Sequence, residues 1–235
     1  MTAPALVRLE GASRRYGSRM ALLPIDLAVG PGETVALAGP NGAGKTTLLS
    51  LLAGSLAPTA GVVSTSGRVG FVPQETALYP ALTARENVEL FARLDGHPAP
   101  GGVAAQVLAD CGLEEFADRR AGSLSIGQRQ RVNVAVGLLG EPDVVLLDEP
   151  SSSLDPRQRR LVWQLLARIC ARGGAVLFTT QNVEEVHLHA SSLVVLVDGR
   201  LAFQGSVQAF EDQVGVGADG FEGTFVRFLE GHESG

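Results

Sequence analysis

Residues 39–47, GPNGAGKTT, constrain this chain more than any other stretch. They set Gly39, Gly44, Lys45 and Thr46 at the spacing G-x-x-x-x-G-K-[ST]. Glycines let a backbone curl until successive N–H groups point inward, which makes a nest for anionic oxygens. A helix that begins immediately afterwards adds the partial positive charge of its N-terminus. A lysine at this place reaches the outer phosphates of a nucleotide, and a hydroxyl there ligands Mg²⁺. A chance match in a chain of average composition has odds on the order of one per cent. The alternative is a glycine-rich turn before an ordinary helix. ETVALAG (33–39) predicts a buried strand running into the loop, and TTLLSLLAG (46–54) predicts a helix with Gly54 just past its end. Both flanks fit phosphate binding, so Gly39, Asn41, Gly42, Gly44, Lys45, Thr46 and Thr47 are the candidate nucleotide contacts.

A chain of 235 residues can bury one sizeable core, as a single domain with lobes. With 45% hydrophobic and 19% charged residues it suits a globular α/β protein and not a disordered one. The net charge of −6 opposes a nucleic-acid-binding surface. Lys45 is the only lysine, a compositional bias that leaves the loop lysine chemically unique. Cys111 and Cys170 lie far apart without C-x-x-C spacing, so neither a metal site nor a disulfide framework is implied and a reducing cytoplasm is expected. The start, MTAPALVRLEG, lacks the basic region and long apolar run of a signal peptide. No apolar run reaches the length of a membrane span, so any membrane role needs a partner to supply that part.

Along the chain, ALVRLEG (5–11) predicts a strand, and 14–33 two more, with turns at Gly17 and Pro31-Gly32. Tyr16, on the first turn, offers a flat ring for stacking on a base; the plainer role is a strand-end tyrosine. APTAG (57–61) is a turn, and 62–74 reads as a short hairpin and a strand ending at Gln74. Residues 75–137 form a helical insert. It comprises LTARENVELFARL (82–94), with a capping box from Thr83 to Glu86, a loop at 96–102, a helix at 103–113, and a third helix or loop at 114–122. Ser125 and Gln128 have the same capping spacing. PDVVLLDEP (142–150) predicts a central parallel strand covered on both faces and ending in Asp148 and Glu149. Ligands in open α/β sheets bind beyond such strand ends, where the phosphate loop also opens. Asp155 and Pro156 then start a helix, 174–181 is a strand, 182–190 a helix, and 192–205 a hairpin closing at Asp198-Gly199. The tail from Ser206 holds two weakly amphipathic pieces, AFEDQV and TFVRFLEG, around a glycine-rich link. No internal repeat is evident, so there is one nucleotide cassette.

Taken in order, these motifs resemble the ATP-binding cassette (ABC) family, specifically the nucleotide-binding subunit of an ABC transporter of exporter-like type, over about residues 5–205. The resemblance implies a P-loop NTPase (RecA-like) core with an antiparallel β lobe and an α-helical insert. By that likeness 1–235 is one nucleotide-binding domain. Its lobes are 1–34 and 55–70 (antiparallel β), 35–54 and 138–205 (ATPase core), 75–137 (helical signature lobe) and 206–235 (tail). Tyr16 then looks like the adenine-stacking aromatic, and Gln74 like the glutamine that senses the γ-phosphate and Mg²⁺ beside the membrane partner. LSIGQ (124–128) resembles the signature LSGGQ, whose Ser125, Gly127 and Gln128 cap the ATP held by an opposite protomer. Asp148 looks like the Mg²⁺-organising carboxylate, Glu149 like the general base, and SSLD (152–155) like the turn that crosses the dimer interface. The implied ligands are ATP and Mg²⁺. The implied partners are a transmembrane permease subunit and a second cassette, identical or not, with no nucleic acid. The implied place is the cytoplasmic face of the membrane, held peripherally. Leu78, Tyr79 and Phe91 are the candidate permease contacts.

The chemistry agrees. Phosphoryl transfer is mainly positioning and charge neutralisation, which backbone N–H groups, Lys45 and Mg²⁺ supply. Carboxylates beside phosphates are unfavourable unless they hold a metal or polarise water, although Asp148 and Glu149 also suit a turn before Pro150. Two residues depart from the pattern: Ile126 replaces the first signature glycine, and Gln181 stands where the family has its switch histidine. Glutamine donates an amide hydrogen bond but carries no charge. The expected function is therefore ATP hydrolysis by Lys45, Glu149 and Gln181, driving transport. The alternative is a weakly hydrolysing regulatory subunit paired with another cassette. A soluble ABC protein on ribosomes or DNA fits poorly with one P-loop, no heptads and an acidic chain.

Overall fold

The apolar runs become central strands in this computed structural model, which describes residues 4–215 and 220–233. Strands β1 (Val7–Tyr16), β2 (Arg19–Val29) and β4 (Ala60–Thr65) form an antiparallel sheet in the order β2-β1-β4. A six-stranded sheet is built from β3 (Thr34–Ala38), β5 (Val69–Val72), β6 (Val144–Asp148), β7 (Ala175–Thr179), β8 (Ser192–Val197) and β9 (Arg200–Ser206). Its order is β5-β6-β7-β3-β8-β9, parallel except for the β8–β9 hairpin.

Strand alternation divides this sheet between two cores. Val35, Leu37, Val144, Leu146 and Leu177 face helix α1 (Lys45–Leu52) and the antiparallel sheet. Ala36, Val145, Leu147, Val176 and Phe178 face the other way. There they meet α5 (Pro156–Ala171), α6 (Val183–His189), α7 (Val207–Val214) and α8 (Gly220–Glu233). A third core lies among α2 (Ala84–Leu94), α3 (Pro100–Asp110) and α4 (Ile126–Gly137). Continuous apolar strands are what burial on both faces demands, and β6 and β7 are buried at every position.

The capping boxes at Thr83/Glu86 and Ser125/Gln128 form as the spacing requires, and Asp155 caps α5 with Pro156 in its first turn. Four local expectations change. The first strand does not stop at residue 11; β1 passes a register shift between Leu9 and Ala12 and runs on to Tyr16. Residues 14–33 therefore contribute the end of β1 and one further strand, not two. The hairpin expected over 62–74 is absent, because β4 pairs with β1 while β5 pairs with β6 in the other sheet. Val69 and Gly70 thus belong to the parallel sheet. Helix α3 begins at Pro100 inside the expected loop, and short 3₁₀ turns follow at Glu114–Phe116 and Ala121–Ser123. Residues 1–3 of the start read as lacking a signal peptide, residues 216–219 of the glycine-rich link, and 234–235 lie outside the described residues. Among the described residues, no helix is long and apolar enough to cross a membrane.

Candidate functional site

The phosphate loop leaves the sheet at the end of β3. Gly39 has φ 142°, and a Cβ there would lie 2.0 Å from the Leu196 carbonyl oxygen, so only glycine fits. At the far end Gly44 precedes α1 with φ 106°, its missing Cβ leaving room for Leu22 Cδ2 at 2.6 Å. No side chain caps this helix end, so its first N–H groups are left to whatever enters the loop. Lys45 folds back over the loop and donates to the carbonyls of Gly39 at 2.7 Å and Pro40 at 3.0 Å. Burial lowers its pKa below the ordinary lysine value, against the opposing pull of Glu149 and Asp148.

Strand β6 brings the two carboxylates to the same place. Thr46 Oγ1 donates to Asp148 Oδ2 at 2.7 Å, and Thr179 Oγ1 donates to Asp148 Oδ1 at 2.5 Å. The Thr179 hydroxyl also accepts the Glu149 backbone N–H at 2.9 Å. Glu149 has φ 51°, a left-handed backbone that is uncommon for a non-glycine residue. Gln181 Nε2 donates to Glu149 Oε1 at 2.7 Å. Two of the three residues that the sequence assigned to the chemistry, Glu149 and Gln181, are therefore in direct contact.

Gly44, Lys45, Thr46, Asp148, Glu149 and Gln181 line one cleft of ≈ 560 Å³, within the range of small-molecule sites, together with Tyr16, Arg19, Ala21, Asn41, Gly42, Thr47 and Gln74. Tyr16 is 49% exposed, and the Arg14 guanidinium sits 4.8 Å from its ring centroid. The Thr46 hydroxyl and the Asp148 carboxylate, in contact, and the Gln74 amide of the same cleft make an oxygen-rich set that suits a hard divalent cation such as Mg²⁺.

The signature residues are not brought to this cleft. Ser125 caps α4 and exchanges hydrogen bonds with Gln128, while Gly127 packs against α5: a Cβ there would lie 2.4 Å from Gln158 Oε1. Ile126 is 62% exposed. His187 and His189 are also elsewhere, beside Glu211 and stacked on Trp163 at 4.0 Å respectively. Of the three candidate permease contacts, Tyr79 is exposed, whereas Leu78 and Phe91 pack on the helical core. Thr179 and Arg19 were missed by sequence reasoning. For Thr179 the sequence carried no local signal; only the β6–β7 pairing sets it opposite Asp148.

The family model described as "ABC transporter" matches residues 22–152. The Nod factor export ATP-binding protein I of Burkholderia orbicola (strain AU 1054) is 38% identical over 226 residues, which cover 90% of this chain and 74% of the relative. The ATP-binding cassette sub-family A member 2 of Rattus norvegicus is 34% identical, over 90% of this chain but 10% of that protein. Among solved structures, an ATP binding subunit of an ABC transporter aligns with a TM-score of 0.86 at 25% identity, covering 95% of this chain and 99% of that one. The cassette MJ0796, as a post-hydrolysis dimer bound to ADP and Pi, aligns with a TM-score of 0.79 at 29% identity, covering 86% and 98%.

Proposed function

The chain belongs to the ABC transporter family, and we propose that its P-loop cleft binds MgATP and that Glu149 and Gln181 carry out the hydrolysis that drives a separate membrane-spanning subunit. The observation that supports these roles is the 2.7 Å contact between Gln181 and Glu149 in the cleft that also holds Lys45, Thr46 and Asp148. Entering phosphate oxygens replace the Gly39 and Pro40 carbonyls as partners of Lys45, a better match for a cation. Thr46, Asp148 and Gln74 are the residues to hold Mg²⁺. When bound, that ion neutralises charge building on the transferred phosphoryl group. Glu149 takes a proton from the attacking water as the water oxygen bonds to the γ-phosphorus and the bond to ADP breaks. Gln181 keeps the Glu149 carboxylate turned toward the cleft, and Tyr16 stacks on the base.

Ser125, Gly127 and Gln128 point to a second cassette. They sit outside this chain's own cleft, on a capped helix start that suits an anion. In this reading each copy closes the other's nucleotide site, and the closure is passed to a permease bound at the membrane's cytoplasmic face. The relatives named for Nod factor export support an exporter. The test is phosphate release from MgATP by the wild type and by Glu149→Gln, each with and without the co-purified membrane subunit. Wild-type hydrolysis that responds to that subunit, and its loss in the variant, is expected; equal rates in both chains refute the assignment.

A further inference from the structure

The β6–β7 ladder ends at the Asp148–Thr179 pair. Beyond it, among the described residues, no backbone hydrogen bond joins the loop carrying Glu149 to the loop carrying Gln181. Side chains do that work, and one is a carboxylate outside the cleft. Glu185, on α6, is 2% exposed. Its Oε1 accepts the Ser151 hydroxyl at 2.6 Å, and its Oε2 accepts the Thr180 hydroxyl at 2.8 Å. Ser151 lies two residues after Glu149, and Thr180 lies one residue before Gln181. Arg159 of α5, with Nε 3.6 Å from Oε1, is the nearby countercharge. A buried carboxylate is unfavourable unless it is hydrogen-bonded and paired, and here both oxygens serve to join the two loops.

We propose that Glu185 is a positioning residue for ATP hydrolysis: by holding Ser151 and Thr180 it fixes the spacing of Glu149 and Gln181, without touching the nucleotide. This rests on the reading of Glu149 and Gln181 as the groups that act on water. Small displacements of such groups lower the rate while leaving substrate contacts intact.

The test compares wild type, Glu185→Ala, Glu185→Gln and Ser151→Ala by MgATP calorimetry, thermal melting and steady-state hydrolysis. Glu185→Ala is expected to lower kcat about 10- to 100-fold, with KM and nucleotide affinity within about twofold of wild type. Glu185→Gln, which keeps an acceptor between the two hydroxyls, restores most of kcat. Removing Gln181 as well must add less than the product of the two single effects, because both act on one geometry. Wild-type kcat in Glu185→Ala overturns the proposal, as does a loss of affinity matching the loss of kcat, or fully multiplicative effects in the double variant. Should Glu185→Ala not fold, Ser151→Ala carries the test: a severalfold fall in kcat alone supports the proposal, and an unchanged kcat overturns it. Absence of hydrolysis by wild type, or full activity of Glu149→Gln, overturns the reading of the site and this inference with it.

Discussion

Gln181→His isolates what a charge adds at this position. In the structure the Gln181 amide already donates to Glu149 at 2.7 Å, so the geometric part of the contact is in place without a charge. A hydrogen bond between a neutral donor and its acceptor contributes about 0.5–1.5 kcal/mol net, and one to a charged group about 1.5–3 kcal/mol. Removing the bond altogether, in Gln181→Ala, is therefore expected to slow hydrolysis by about tenfold to a hundredfold. An imidazole keeps one N–H for Glu149 and can become cationic as the terminal phosphate gathers charge. The bond to the Glu149 carboxylate is in the charged class for either side chain, so the gain left to the imidazole is the charge assistance of its contact to the terminal phosphate, about 1 kcal/mol, or about fivefold in kcat. ATP affinity should change less than about twofold, since Lys45 and the loop N–H groups do most of the holding. The assay is phosphate release at saturating MgATP across the pH range around neutrality. The variant should show an ionisation near the ordinary histidine value that the wild type lacks, because only the imidazole titrates there. A clear fall in kcat with affinity intact refutes this reasoning and means that the amide's shape, not its lack of charge, is what the site is built around. No change in a paired complex means that the other cassette does the chemistry, as in the regulatory alternative.

Lys45→Ala should remove most MgATP affinity, because the chain has no other lysine to replace the contact; calorimetry near the wild-type level would count against it. Glu149→Gln should bind MgATP but hydrolyse it poorly and accumulate as an ATP-bound dimer, visible by size-exclusion chromatography with ATP. His189, stacked on Trp163, has its pKa lowered by burial, so the neutral ring is favoured in the fold. The stability it contributes is present above the ordinary histidine value and is lost as pH falls below it, where the unfolded chain takes up the proton first. Trp163 is the only tryptophan, so its fluorescence should titrate with a midpoint below that value and should stop titrating in His189→Gln.

Much of this site was legible because phosphate binding restricts sequence tightly. Gly39 cannot be replaced where β3 meets the Leu196 carbonyl, and Gly44 cannot where the chain turns beside Leu22. Such close contacts leave fixed letters at fixed spacings. The apolar run before Asp148 was equally direct, since burial on both faces leaves only one composition for β6. What stayed hidden depended on pairing between distant segments. The stretch 62–74 has the local signals of a hairpin, yet its two strands join different sheets, and nothing local encodes which. Thr179 and Glu185 bear ordinary side chains whose roles appear only once β7 lies beside β6 and α6 folds back.

The fold also explains how a segment outside the cleft can matter to it. Gly127 of α4 packs so closely on the start of α5 that a Cβ would lie 3.1 Å from the Ser153 carbonyl oxygen. Ser153 belongs to the turn that begins at Glu149, and Ser151 of that turn is tied to Glu185. In the dimer proposed above, a nucleotide held by a second cassette meets Ser125, and this packing links that contact to the loop that carries Glu149. The exposed Ile126 follows Ser125, so on that proposal the partner's nucleotide meets a branched side chain where the family pattern has glycine. The two departures from that pattern then act at opposite ends of one path. On the proposed roles, Ile126 sets how closely the partner's nucleotide is met, and Gln181 sets how the Glu149 carboxylate is held once the loop is in place.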